Sequence, residues 1–418
     1  MVKSWRYLLR NSEFLLIWTS QILSQITINV LNFVLLFTLF EKTQSSVATS
    51  FLWITYSLPA IILGPFASAS VDMLDLRKVL MATNFFQAVV IAFYAIIAYS
   101  SPFLAYAVVL GYSALNQFYV PAEYATIPRV VKKEFLPQAN GLFLITQQGS
   151  LILGFGVAGI ILKALGISNT LILCSFFLFV AFSTVYFLPQ MKTREEFPKK
   201  LDEVFIKFFE SIVVGYKFIK ENKLVLAPFL LMVSMQVALT VTIVNAPAFA
   251  LEIIKIPLSV TGIYLVVPGG IGALLASFFI PRLLARGVRK IKIIKVSLVT
   301  LALSLIFITF FFSELELFLR VIFSFTTLIA MGFSYVGILI PSQTFLQENT
   351  PSDLRARVFG NLWFLVVILT VFPVILSGTI SEIFGSKTLM LTLTVAIFSL
   401  FMFLKERERK YLLPEKAN

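Results

Sequence analysis

Four side-chain amides recur along the first apolar run. Gln21, Gln25 and Asn29 stand at intervals of four, and Asn32 lies three further on, so one side of a helix carries all four. An amide inside hydrocarbon is costly unless it meets a partner or water, and this leaves two uses open: hydrogen bonds between helices, or the wall of a polar cavity. Gln147 and Gln148, Gln236, Asn245 and Gln343 interrupt later apolar runs and are candidates for the same cavity. The acidic candidate is Glu123, in "FYVPAEYATIPRVV", which follows an uncharged stretch from Pro102 to Val120. Three roles are open to its carboxylate: a latch partner for Arg77 or Arg129 near the membrane boundary, a proton-coupling or cation-binding group, or a charge at headgroup level. The chain has no histidine, and Cys174 is its single cysteine. No internal disulfide, thiolate metal cluster or histidine-activated nucleophile can form, so neither an enzyme nor a bound metal or cofactor is expected. A GxxxxGK[ST] phosphate loop is also absent, which disfavours an ATP-driven pump.

The elements that must position these residues follow from composition. Of 418 residues, 59% are hydrophobic and only 13% charged, and the mean hydropathy is +0.93, beyond the range of soluble domains. Apolar runs of about 20 residues read as membrane-crossing helices, and they are too unbroken for the alternating strands of a barrel. Twelve such runs, the first near 13–40 and the last near 388–404, put both termini on one side. The net charge of +13 would fit nucleic acid, but 29 of the 34 Lys and Arg residues fall in the termini and loops of that one side. This is the positive-inside pattern, so both termini are expected in the cytoplasm and no nucleic-acid partner is implied. The basic first twelve residues lead into a run longer than the apolar core of a signal peptide, and a retained N-terminus is expected.

The polar stretch "PQMKTREEFPKKLDE" divides the chain into a six-helix half at 1–188, a linker at 189–223, a second six-helix half at 224–404 and a basic tail at 405–418. In the linker Phe205, Phe208, Phe209, Ile212, Tyr216 and Ile219 recur at helical spacing. They predict either an amphipathic helix on the bilayer surface or a solvated linker helix packed on the next span. The halves echo each other: Pro121, Glu123 and "NGLFL" at 140–144 return 220 residues later as Pro341, Gln343 and "GNLWF" at 360–364. Two parallel repeats of six helices around a central cavity are a known transporter plan. The expected fold class is therefore an all-α polytopic membrane protein of that kind. The glycines of span five, Gly149, Gly154, Gly156 and Gly159, are expected to admit a neighbouring backbone.

The loop "GPFASASVDMLDLRKVL", the stretches "PAEYATIPRVV" and "LPQANGL", "GYKFIKENKLVLAPFLL", and "PSQTFLQENTPSDLRARVFGNL" together resemble the major facilitator superfamily, in particular its drug/proton antiporter branch with macrolide-efflux and enterobactin-exporter proteins. The resemblance implies a cytoplasmic gate motif in which Gly64, Asp72, Asp75, Arg77 and Lys78 take the glycine, acidic and basic positions, with Asp72 facing the start of span eleven. Ser68 stands where the family usually has a glycine, and Met73 and Leu76 where it often has arginines, which thins that charge network. It also implies a monomeric secondary transporter in the inner membrane. Such a protein would export amphipathic or drug-like molecules by alternating access, in contact with membrane lipids and with protons as the driving ion. A lysophospholipid flippase is the alternative within transport, because "PAEYATI" and "PSQTFLQ" resemble that branch as well. A non-transporting receptor or scaffold on the same fold is the alternative of another class.

Overall fold

The computed structural model describes residues 7–71, 74–97, 101, 103–191, 210, 213–214, 216–351 and 355–407. Among them every regular element is helical. The long helices are α1 (Ser12–Thr43), α2 (Ser46–Val71), α3 (Leu76–Ile97), α4 (Phe103–Val130), α5 (Leu136–Tyr186), α6 (Lys223–Val244), α7 (Val267–Ala285), α8 (Lys290–Phe311), α9 (Leu317–Glu348), α10 (Arg355–Phe384) and α11 (Ser386–Arg407). All eleven contain a stretch apolar and long enough to cross a bilayer. α5 has 51 residues, about 76 Å at helical rise and over twice the hydrocarbon thickness. Gly166 breaks it at φ 73°, ψ 173°, a conformation that glycine reaches at no steric cost. The two arms of α5 are thus two spans, and the expected twelve are accounted for. Asp72, most of the linker with Phe205, Phe208, Phe209 and Ile212, and the tail beyond 407 lie outside the described residues.

The chain forms two compact units, Met1–Gln44 with Phe51–Lys207, and Ser45–Ser50 with Phe208–Asn418. In the first, α5 packs along α1 and α3, and α4 packs on α3. Asn11 shows how helix ends are satisfied where water is scarce. Its Oδ1 accepts the Phe14 N–H at 3.2 Å and caps α1, while its Nδ2 donates to the Val130 carbonyl at the end of α4 at 2.7 Å.

In the second unit α9 is the central element, with α6, α7 and α8 packed against it. Arg320, one turn into α9 and only 9% exposed, donates through Nε to the Phe312 carbonyl, through Nη1 to Ile254 and through Nη2 to Leu315. These carbonyls lie where α8 and the turn after α6 run out, so one guanidinium serves three chain ends. Two carboxylates do the converse for N–H groups. Glu382 Oε2 accepts from the Ser45 hydroxyl at 2.6 Å and the Val47 N–H at 3.1 Å, where α2 begins; Glu252 Oε2 accepts the Ser386 N–H at 2.9 Å, where α11 begins. Negative charge at a helix N-terminus typically contributes ~0.3–1 kcal/mol.

Of the span-five glycines, Gly154 is closely approached, since a Cβ there would lie 2.5 Å from the Asn29 Cβ of α1. A Cβ at Gly149 would meet nothing within 4 Å. The backbone-to-backbone contact is between α7 and α9: a Cβ at Gly272 would overlap the Ile329 carbonyl, and one at Gly332 the Gly269 carbonyl. A Cβ at Gly378 of α10 would lie 2.4 Å from Ser50 Oγ and 2.6 Å from the Ser46 carbonyl oxygen. Gly332→Ala should therefore lower the thermal midpoint of the detergent-solubilised protein by the equivalent of ~1–3 kcal/mol, the usual cost of overpacking. Gly149→Ala should be neutral or slightly stabilising, since alanine favours a helix by about 0.8–1 kcal/mol over glycine. Equal midpoints for the two variants would contradict the assignment of the crossing.

Candidate functional site

Helical periodicity puts Tyr112, Tyr119, Glu123 and Thr126 of α4 on the face turned into the first unit, and all four are buried. Glu123 is 2% exposed, and the Tyr119 hydroxyl, one turn away, donates to its Oε1 at 2.8 Å. Tyr119 belongs to a buried apolar cluster that includes Leu80, Ala122, Ile127, Val130, Ala139 and Phe143. Among the described residues no ion pair reaches Glu123. The expected partnership with Arg77 or Arg129 is thus corrected. Arg129 is six positions on, which is the far side of a helix, and it is exposed. Glu123 lies about 30 Å along the helix from Phe103 and ~10 Å short of its end, enclosed by protein.

Buried polar groups from two other helices share this interior. Asn84 of α3 donates through Nδ2 to Ser20 Oγ of α1 at 3.2 Å, and Gln87, one turn further along α3, donates to the Tyr112 carbonyl at 3.5 Å. Ser20 and Ser24 border the Tyr119 hydroxyl. Asn84 Oδ1 and Gln87 Oε1 are enclosed and lack a hydrogen-bond partner among the described residues, while the Tyr112 hydroxyl lies beside Ser24. A polar seam thus crosses the apolar core from α3 through α1 to the carboxyl on α4. Desolvated polar groups of this kind are disfavoured unless they have a use.

The expected gate turn is fastened within the first unit. Asp75 is the cap residue of α3: its Oδ1 accepts the Arg77 N–H at 3.0 Å and also the Met191 N–H at 3.4 Å. Arg77 donates through Nη2 to the Tyr186 carbonyl, and its guanidinium lies over the Tyr186 ring, 5.2 Å from the centroid. Arg77 thus contacts the end of α5 and not Glu123. Lys78 is exposed, Gly64 sits mid-depth on α2 with the nearest side-chain atom, Gln117 Oε1, 3.9 Å from where its Cβ would be, and Asp72 is outside the described residues.

The amide face of α1 divides. Gln21 is buried and donates to the Phe143 carbonyl of α5 at 3.1 Å, while Asn29, also buried, donates to the Gln25 carbonyl and packs on Gly154. These two sit in a helix contact, not on an open surface. Gln25 and Asn32 are half-buried, and Gln147 is exposed. In the second unit Gln236 accepts from the Tyr335 hydroxyl at 2.5 Å. Asn245 is fully buried at the break after α6, where it donates to the Val241 carbonyl and to Ser377 Oγ. Gln343 is exposed. An exposed amide within a span is tolerable only where water or a polar ligand reaches it, which keeps Gln147 and Gln343 as lining candidates. Sequence reasoning missed Asn84, Gln87, Tyr112, Tyr119 and Tyr335. The spacing of four between Tyr119 and Glu123, and of three between Asn84 and Gln87, was the available signal.

Known proteins agree with this architecture. The sequence profile of the Major Facilitator Superfamily matches residues 17–369. Macrolide efflux protein A of Streptococcus pyogenes is 28% identical over 152 residues, 36% of this chain and 38% of that protein. The uncharacterised transporter YkuC of Bacillus subtilis is 25% identical over 167 residues, 39% of each chain. The matched stretch thus spans well under half the length of either relative. YfiS, an uncharacterised transporter from the same Bacillus, is 23% identical over 351 residues, 83% of this chain and 81% of its own. Among solved structures, the nucleoside transporter NupG superposes with a TM-score of 0.69 at 14% identity over 95% of this chain and 99% of its own. A bacterial homologue of the iron transporter ferroportin, in an inward-facing state, superposes with a TM-score of 0.71 at 15% identity over 96% and 100%. With a family profile that covers most of its length and two helical units of the matching fold, the chain belongs to the Major Facilitator Superfamily and is a multi-pass membrane protein.

Proposed function

We propose that this protein is a secondary transporter that exports amphipathic small molecules across a bacterial-type cytoplasmic membrane, with both termini in the cytoplasm, and that Glu123 carries the proton whose influx drives export. The observation that carries the coupling reading is the enclosed Tyr119–Glu123 pair. A carboxyl with a neutral hydrogen-bond partner, in an apolar shell with no described cation in contact, can alternate between charged and neutral forms without dismantling an ion pair. An arginine partner would hold it charged and serve a gate instead. Substrate class and direction are supported by the partial likeness to a macrolide efflux protein and by the absence of any fixed charge among the amide lining candidates.

Glu123→Gln imitates the protonated carboxyl. In vesicles tested with a fluorescent amphipathic dye, a radiolabelled macrolide and a lysophospholipid, the variant should exchange whichever probe the parent moves, within about twofold of its rate. Accumulation under an imposed pH gradient should fall at least about tenfold. Full accumulation would remove Glu123 from coupling, and loss of both activities would return it to a gating or packing role. A parent that moves only the lysophospholipid would replace efflux by lipid flipping.

Orientation rests on the charge bias and has its own test. Cys174 is buried, so single cysteines at Lys78 and Ser101 can be read directly. Lys78→Cys should react with an impermeant maleimide only after the cell membrane is opened, and Ser101→Cys in intact cells. The reverse pattern would invert the topology and with it the direction of export.

A further inference from the structure

The turn between α7 and α8 gathers cations, most of which have no partner among the described residues. α7 ends in a Schellman motif: Val288 N–H bonds to the Leu283 carbonyl, Gly287 N–H to Leu284, and Gly287 takes φ +81°. Leu283, Leu284 and Val288 pack on Ala276, Ile280 and Ile293 beneath it. This compact link brings Arg282, Arg286, Arg289, Lys290 and Lys292 to one end of the second unit, and no acidic residue occurs between Glu252 and Glu314. Lys290 pairs with Glu348 of α9. The side chains of Arg282, Arg286, Arg289 and Lys292 have no partner among the described residues and are exposed. The turn between α2 and α3 is different, because there Arg77 is committed to Tyr186 and Asp75 stands beside it.

Each cation prolongs an exposed apolar stripe. On α7 Leu275, Phe278, Arg282 and Arg286 succeed one another at helical spacing, with Phe278 64% exposed. On α8 Leu303, Val299, Val296 and Lys292 do the same, with Val296 58% exposed. α7 and α8 pack on α9 and not along one another, so the stripes meet at the turn and run separately along the shafts. An amphiphile fits this surface end to end: a negative headgroup against the cations and acyl chains along the stripes.

We infer that the α7–α8 turn is a docking site for an anionic phospholipid, with Arg282, Arg286, Arg289 and Lys292 holding the phosphodiester and Leu275, Phe278, Val296 and Val299 the acyl chains. The chemistry is charge complementarity, with about a fivefold gain in lipid partition for each Lys or Arg at the surface, joined to apolar burial that a free anion cannot supply. The site needs only the membrane-spanning fold and is independent of the export and proton readings above.

The test uses the full chain in detergent micelles carrying about 30 mol% phosphatidylglycerol or phosphatidylcholine, with retained lipid counted by native mass spectrometry and the thermal midpoint recorded. Phosphatidylglycerol should be retained and should raise the midpoint, with phosphatidylcholine doing neither. The variant Arg282→Gln/Arg286→Gln/Arg289→Gln should retain at least about tenfold less phosphatidylglycerol while keeping the midpoint it has in phosphatidylcholine. Should that variant fail to fold, Arg286→Glu alone, at an exposed position after the last turn of α7, should show a partial loss of retention. Equal retention of both lipids by the parent, undiminished retention by the variants, or the same protection from inorganic phosphate would overturn the proposal, the last leaving a simple anion site.

Discussion

Everything in this molecule follows from one constraint: inside hydrocarbon a polar group has no water to fall back on, so each N–H, carbonyl and side-chain amide must find its partner within the chain. Helices meet that demand along their length and fail it at their ends. Asn11, Arg320, Glu252 and Glu382 are answers at those ends. Each brings a side chain from one segment to the unpaired backbone of another, so that helix termination becomes a tertiary contact. Arg320 is a cation within an apolar region, yet carbonyl oxygens alone satisfy it, because a guanidinium offers donors in several directions at once.

The same constraint gives meaning to polar groups left incompletely satisfied. The seam from Asn84 and Gln87 past Ser20 to Tyr119 and Glu123 occupies the interior of a unit whose other buried residues pack as ordinary apolar core. Leucines and phenylalanines there would be more stable, so the seam costs the fold stability that an apolar core would keep. The gate turn is the opposite case. Asp75 caps α3 and accepts the Met191 N–H, while Arg77 is spent on the end of α5 through a carbonyl and a ring.

The two units solve close packing differently. In the first, α1 meets α5 through side chains, with Trp18 donating to Thr146, Gln21 to Phe143, and Asn29 set against Gly154. In the second, α7 and α9 approach until glycine Cα atoms face carbonyls, where dispersion between backbones replaces side-chain packing. Two halves with echoing sequences have thus diverged in the contacts that hold them.

The residue string by itself settled the solvent and the number of crossings, since these depend on apolar length, which is additive along the chain. It also marked Glu123 as anomalous, because a carboxylate amid apolar residues is visible without coordinates. It could not name that carboxylate's partner. Arg129 was close in sequence, Arg77 was expected at the same membrane face, and both were opposite in charge, but helical phase turns Arg129 away and the end of α5 takes Arg77, which leaves the neutral Tyr119. Glycine spacing in span five marked a helix that could be approached closely, while the close crossing fell to Gly272 and Gly332, because contact depends on what faces a glycine from another helix. Periodicity determines which face a side chain is on; only the packing of helices far apart in sequence determines what that face meets.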